Sequence, residues 1–298
     1  MADKVIKAIA KDETVRIIAC DTTNLVNHVK KLHNLNELTT IAFGRLMTSA
    51  AMISETNKIS TDTIIIKFQG DGPINNMSAI TKGDGTLKGF ISNPKAFIES
   101  FKLKDLIGNG FLMITKDLGL KNPYTGKVPL YTGDICGDLS YYYTVSEQTP
   151  TAISIGMDIK DDLSVGKSVG IMVQMLPGSD EMVADIISYR FEDLGSIVSN
   201  LEQGKNIYDI LNFMFDDMGI RILEEKDISY KCDCSREKVE RALISIGIEE
   251  LKSIVDDSKE EMIFCDYCKT EYKFSNEDIK KLYNKLIKKC WHIKWMSI

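Results

Sequence analysis

The chain has 298 residues, 44% of them hydrophobic, with a formal net charge of -6 and a pI near 5.3. That length suits about two domains with ordinary cores, and the acidity excludes a general nucleic-acid binder, which needs clustered Lys and Arg to neutralise phosphate. No stretch approaches eighteen uninterrupted apolar residues, so no membrane-spanning helix is predicted. Residues 1–12 lack the apolar run of a signal peptide, and seven cysteines with no even framework suit a reducing compartment. The expectation is a cytoplasmic protein.

Residues 1–177 read as one α+β domain, a mixed assembly of sheet and helix. Residues 14–20 (TVRIIAC) and 61–68 (TDTIIIKF) are rich in β-branched side chains and predict strands. Between them, residues 25–32 and 38–53 carry apolar side chains at helical spacing. Strands at 77–81 and 87–91 flank Lys82-Gly83-Asp84-Gly85, where Asp-Gly accommodates the positive φ of a hairpin turn. Further strands are predicted at 111–118, 127–131, 152–159 and 169–176, and a helix at 139–146. Gln69-Gly70-Asp71-Gly72-Pro73 has the glycines to cradle an anion, but a tight turn explains it better. Val165-Gly166-Lys167-Ser168 is no phosphate loop, because position 161 is Asp where the first glycine is required. Cys20 and Cys136 read as buried small hydrophobes, and His28 and His33 as helix-surface residues.

Residues 178–230 change character. Twelve Asp and Glu stand against four Lys and Arg, a net -8, and apolar residues recur at helical spacing from Met182 to Met218. This predicts an acidic, amphipathic helical linker, whose apolar face needs a partner surface. Permanent packing on the first domain and reversible docking both satisfy that need.

Residues 231–298 hold the chemistry. Cys232 and Cys234 form a C-x-C pair, and Cys265 and Cys268 a C-x-x-C pair thirty residues later. Residues i and i+2 of an extended chain point the same way, and a hairpin turn brings the second pair together. Four thiolates at this spacing predict a tetrahedral zinc site, with Cys232, Cys234, Cys265 and Cys268 as ligands. Each near pair can also close as a disulfide, Cys232–Cys234 and Cys265–Cys268, so the set is open to being a structural clip or a redox sensor. Around it, Ser235 caps a predicted helix at 236–246. Residues 262–274 predict a hairpin, and Ser275 with Asp278 starts a final helix. The last twenty residues carry six Lys and no acid, read as a solvated helix face and tail. Two other functions fit fewer features. A zinc-ribbon nucleic-acid binder has only that tail in its favour, and a thiol oxidoreductase needs one accessible pair without tight metal.

The residues around the cysteines, Cys232-Asp233-Cys234-Ser235-Arg236-Glu237 and Cys265-Asp266-Tyr267-Cys268, resemble the C-terminal signature of the heat shock protein 33 family. The resemblance runs through Gln69–Pro73, Ile107-Gly108-Asn109-Gly110, Tyr131-Thr132-Gly133-Asp134, Ser146-Glu147-Gln148 before Pro150-Thr151, and Gln174-Met175-Leu176-Pro177. It implies a redox-regulated, ATP-independent chaperone without enzymatic activity, inactive while reduced and zinc-bound. It further implies that forming Cys232–Cys234 and Cys265–Cys268 releases the zinc, unfolds the C-terminal module and loosens the linker. The oxidised protein would dimerise and hold unfolding clients; the reduced protein would be a monomer, with no nucleic-acid or membrane partner.

Overall fold

The computed structural model describes residues 2–57, 59–100, 102–257 and 259–295, the last eight by backbone alone. The chain forms two compact units, Met1–Lys231 and Cys232–Ile298.

The first unit begins with β1 (Lys4–Ala10) and β2 (Val15–Asp21), followed by α1 (Thr23–His33) and α2 (Glu37–Ser54). Next come β3 (Thr63–Gly70), β4 (Asn76–Lys82), β5 (Thr86–Ile91), a single turn α3 (Leu103–Ile107), β6 (Gly110–Asp117) and β7 (Tyr124–Pro129). Then α4 (Ile135–Val145), β8 (Thr151–Ile159) and β9 (Val165–Met175) lead into α5 (Glu181–Leu194), α6 (Ile197–Glu202) and α7 (Ile207–Phe215). The unit ends in β10 (Arg221–Asp227) and β11 (Ser229–Tyr230).

Two sheets result, in the orders β10-β1-β2-β9-β8 and β11-β5-β4-β3-β6-β7. One core packs α1, α2 and α4 among Ile18 and Cys20 of β2, Met172 of β9, and Ile64, Ile66 and Phe68 of β3. Because α2 touches strands of both sheets, nearly all its side chains are buried. That is why its apolar residues are not confined to one stripe. The opposite face of the five-stranded sheet presents Val15, Ile17, Ala19, Val169, Ile171 and Val173, and these are covered by α5, α6 and α7. A sheet buried on both faces reads as a continuous apolar run rather than an alternation, as residues 17–20 do.

The acidic segment therefore belongs to the first unit as its outer layer. Ile210, Met214 and Phe215 are fully buried there, each worth about 1.5–3 kcal/mol over exposure. Its last residues depart from the predicted helix: 221–227 form β10, which pairs antiparallel with β1 at the sheet's edge. A free edge of backbone donors and acceptors outweighs local helical preference in a charged, exposed segment. β1 itself was not predicted, since its Lys residues mask a short alternating strand. His33 also differs from expectation. It is buried edge-on against Phe43 at 5.4 Å, while His28 is exposed.

The second unit contains α8 (Arg236–Ser245), α9 (Ile248–Asp257), the hairpin β12 (Glu261–Phe264) and β13 (Glu271–Phe274), and α10 (Asn276–Trp295). Among the described residues its core holds five buried side chains: Leu243, Leu251, Phe274, Ile279 and Leu282. The side chain of Cys290 and the end of the basic tail lie outside the described residues.

Candidate metal centre

Cys232 and Cys234 lie in the extended segment just before α8, whose N-cap Ser235 accepts the N–H of Lys238 at 3.3 Å. Cys265 and Cys268 sit in the β12–β13 turn. There Cys265 N–H donates to the Thr270 carbonyl at 2.9 Å, and Lys269 N–H to the Cys265 carbonyl at 2.8 Å, with Lys269 in the left-handed region at φ 57°. The two segments bring all four sulfurs within 4.8 Å of one another. Crosswise contacts join the pairs, Cys232 to Cys265 at 3.8 Å and Cys234 to Cys268 at 3.3 Å. All four cysteines are free thiols.

These separations fit zinc. Sulfurs ~2.3 Å from a tetrahedral ion stand about 3.8 Å apart, and a four-thiol set is a zinc donor set. The electrostatics agree. Burial pushes the Cys232 thiol up to about 12 and raises Cys234 as well. Burial opposes ionisation of Cys268 too, but hydrogen bonds from the Thr270 hydroxyl and N–H and from neighbouring sulfurs win, bringing it down to about 6. Four sulfurs this close do not all ionise without a cation to offset their repulsion.

Sequence reasoning missed the groups that orient the sulfurs. The Tyr272 hydroxyl donates to Cys234 Sγ at 3.1 Å, which pushes the phenol up to about 12; Thr270 Oγ1 contacts Cys268 Sγ at 3.1 Å. Arg236 ties the module together. It donates to the Lys273 carbonyl at 2.7 Å and to Asp278 Oδ2 at 2.9 Å, and lies 4.2 Å from the Phe274 ring centroid. The signal for Arg236 was its place directly after the helix cap. Tyr272 and Thr270 gave none, since their roles depend on the hairpin register.

The other motifs are structural. Gln69–Pro73 and Ile107–Gly110 zip together: Gly72 N–H donates to the Ile107 carbonyl at 3.0 Å and Asn109 N–H to Asp71 Oδ1 at 2.7 Å. A Cβ on Gly70 would meet the Ile107 carbonyl oxygen at 2.0 Å, so the glycines permit close backbone approach rather than cradle an anion. In Tyr131–Asp134, the N–H groups of Tyr131, Thr132 and Gly133 bond the buried Asp138 carboxylate. Cys20 and Cys136 are buried, Cys136 pushed up to about 12 by loss of solvent. Among the described residues no helix is long and apolar enough to cross a membrane.

Together these features define an α+β protein whose smaller unit carries a four-cysteine cluster with the spacing of a zinc site. The Hsp33 protein family model matches residues 3–275. The 33 kDa chaperonin of Clostridium novyi is 48% identical over 288 residues, covering 95% of this chain and 98% of that protein. Its counterpart in Clostridium beijerinckii is 45% identical over 290 residues, covering 95% and 99%. The crystal structure of the 33 kDa chaperonin from Thermotoga maritima superposes with a TM-score of 0.87 at 30% identity, covering 97% of this chain and all of that one. The chain belongs to the Hsp33 family and is an Hsp33-type chaperone.

Proposed function

We propose that this chain is a redox-switched, ATP-independent holdase, held inactive while Cys232, Cys234, Cys265 and Cys268 are reduced and bind zinc. The observation that carries the reading is a four-sulfur cluster in a unit where five core side chains are buried among the described residues. A module of that size gains little from burial, whereas a structural zinc contributes ~10–16 kcal/mol of apparent binding energy. When bound, zinc neutralises the thiolates and ties the segment before α8 to the hairpin.

Oxidation acts on the chain's own sulfurs. Each near pair, thiolate while zinc is bound, loses two electrons to form one disulfide, Cys232–Cys234 or Cys265–Cys268, while a hydrogen peroxide takes up those electrons and two protons from solvent to give two waters. Disulfide sulfurs are no longer thiolate donors, so the second unit loses its metal and its fold. Cys232 directly follows Lys231, whose N–H bonds the Leu87 carbonyl at 2.8 Å, and β10 and β11 lie within a dozen residues upstream. Loss of the fold beyond Cys232 leaves these edge strands as the end of an ordered chain, where fraying begins. Release of α5–α7 would uncover the apolar face of Val15, Ile17, Val169, Ile171 and Val173 for unfolding clients and for a second oxidised copy. The reading includes a reduced monomer, a cytoplasmic location and no catalytic turnover.

The test treats reduced protein with peroxide at mild heat beside a thermally unfolding client, counting zinc and thiols. One zinc and four protected thiols should become no zinc and two disulfides as client aggregation is suppressed. Loss of zinc without suppression would overturn the proposal.

A further inference from the structure

The polar end of the helix-covered sheet face forms a cavity of about 500 Å³, within the ~300–1,000 Å³ range of small-molecule sites. Its floor includes Ile6 of β1 and Val169 of β9, and its roof Leu201 and Ile207 at the α6–α7 corner. Lys4, Lys167 and Lys205 stand at its walls. Three cations around one cavity contrast with the acidic segment that roofs it. Two carboxylates lie nearby, and with Asp21 in the lining the cavity sets three lysines against one acid. Asp21 accepts the N–H and hydroxyl of Thr23 at 3.0 and 2.6 Å, and Glu225 bonds Tyr208 and lies 3.8 Å from Lys4. Lys205 Nζ bonds the neutral amide of Asn200 at 2.7 Å and lies 5.4 Å from the Phe213 ring centroid, with no carboxylate partner among the described residues. Lys167 is exposed and has no ion-pair partner among the described residues.

We infer that this cavity binds an amphiphilic carboxylate of the fatty-acid class, with its carboxylate between Lys167 and Lys205 and its alkyl chain on Ile6, Val169, Leu201 and Ile207. An apolar floor bordered by lysines without carboxylate partners matches an anionic head on a hydrocarbon chain; it does not match an inorganic anion, which gains nothing from the floor. Lysine charges satisfied by a carboxylate in a partly dry pocket attract it more strongly than in open water. Floor and roof come from the sheet and from the helical layer, so a bound chain joins the two. On the redox-switch reading above, occupancy therefore holds the helices down and delays activation.

The test uses reduced, full-length protein with no client, so its outcome is independent of that reading. Calorimetric titration with decanoate should show one saturable site per chain, at least tenfold tighter than decanol. Lys167→Glu should weaken decanoate at least tenfold and Lys167→Arg should retain it; Lys167 is exposed, so neither substitution disturbs the core. Saturating decanoate should slow proteolysis within residues 195–206. No saturable binding, several weak equivalents indifferent to Lys167→Glu, or equal affinity for decanol overturns the inference. So does displacement by an apolar peptide with a free C-terminus at lower concentration, or tight binding that leaves proteolysis unchanged.

Discussion

Glu55 and Lys226 form an ion pair, Nζ to Oε1 at 2.8 Å, in which the carboxylate is 3% exposed and the lysine 26%. Glu55 caps the C-terminus of α2, where the helix dipole disfavours a negative charge, so its burial there depends on a cation. Lys226 supplies it from β10, the sheet's edge strand, and also donates to the Gly83 carbonyl at 3.3 Å. One side chain thus fastens the end of the outer layer to the central helix.

Lys226→Met should consequently leave Glu55 buried and unpaired. Breaking a buried pair costs about 3–5 kcal/mol, and the partial exposure of Lys226 places the loss towards the lower end. The double variant Glu55→Leu/Lys226→Met should recover most of it. Urea unfolding of reduced protein, with hydrogen exchange of β10, measures both. Equal stability of the single variant and the parent would show that the pair contributes nothing.

Alkaline pH should destabilise the first unit through a different set of groups. Burial raises the thiols of Cys20 and Cys136 and the phenols of Tyr142 and Tyr143, with Glu147 adding to the rise for both tyrosines. A raised folded-state pKa means the unfolded chain loses its proton first. The contribution is therefore complete below the unfolded values, ~8.5 for Cys and ~10 for Tyr, and falls as pH climbs towards the folded ones. The urea midpoint should drop between pH 8 and 11, and tyrosinate absorbance from these two residues should appear only with unfolding. A midpoint flat across that range would contradict the assignment.

How much was legible beforehand follows from where each signal lies. The Cys232/Cys234 and Cys265/Cys268 pairs are local patterns with a fixed chemical meaning, and their sulfurs do converge. The strands at 63–70, 76–82 and 86–91 were readable from their apolar residues and the turn at 83–85. β10 was not, because its conformation comes from β1, more than 200 residues away in sequence. His33 was misplaced for a related reason: a helix of balanced polarity does not reveal that its last turn packs on Phe43.

Removing the metal without oxidant separates clip from sensor. Chelation of reduced protein should unfold residues 232–287 while the first unit keeps its own transition, since the two units have separate cores. Heteronuclear NMR should show collapsed dispersion for Leu251, Phe274 and Ile279, while the core of α1, α2 and α4 in the first unit stays dispersed. Retention of dispersed signals there would mean that the small core suffices without zinc.

Arg236→Ala should act on the same unit through packing. It removes two hydrogen bonds, to Lys273 and Asp278, and the cation over Phe274. With charge-assisted bonds worth ~1.5–3 kcal/mol where dry and less where exposed, a loss of about 2 kcal/mol is expected. Arg236→Lys should not restore it, because an ammonium cannot serve both acceptors in the same fork. The readout is the thermal midpoint of zinc-loaded protein, and an unchanged midpoint for the Ala variant would exclude the role.

Tyr272→Phe tests how tightly the sulfurs are tuned. The hydroxyl donates to Cys234 Sγ, which disperses charge on the sulfur and fixes its direction. Partners of this kind are typically worth ~10–100-fold in metal affinity. The phenyl ring keeps the packing of β13, so the fold should survive. Zinc transfer to a competing chelator should be about tenfold faster, and Cys234, freed of its donor, should be oxidised at lower peroxide. Disulfide mapping by mass spectrometry then reports the pairing. Cys232 joined to Cys234 supports the near-neighbour scheme. Cys232 joined to Cys265 would instead mean that the crosswise 3.8 Å and 3.3 Å contacts of the reduced site direct the chemistry.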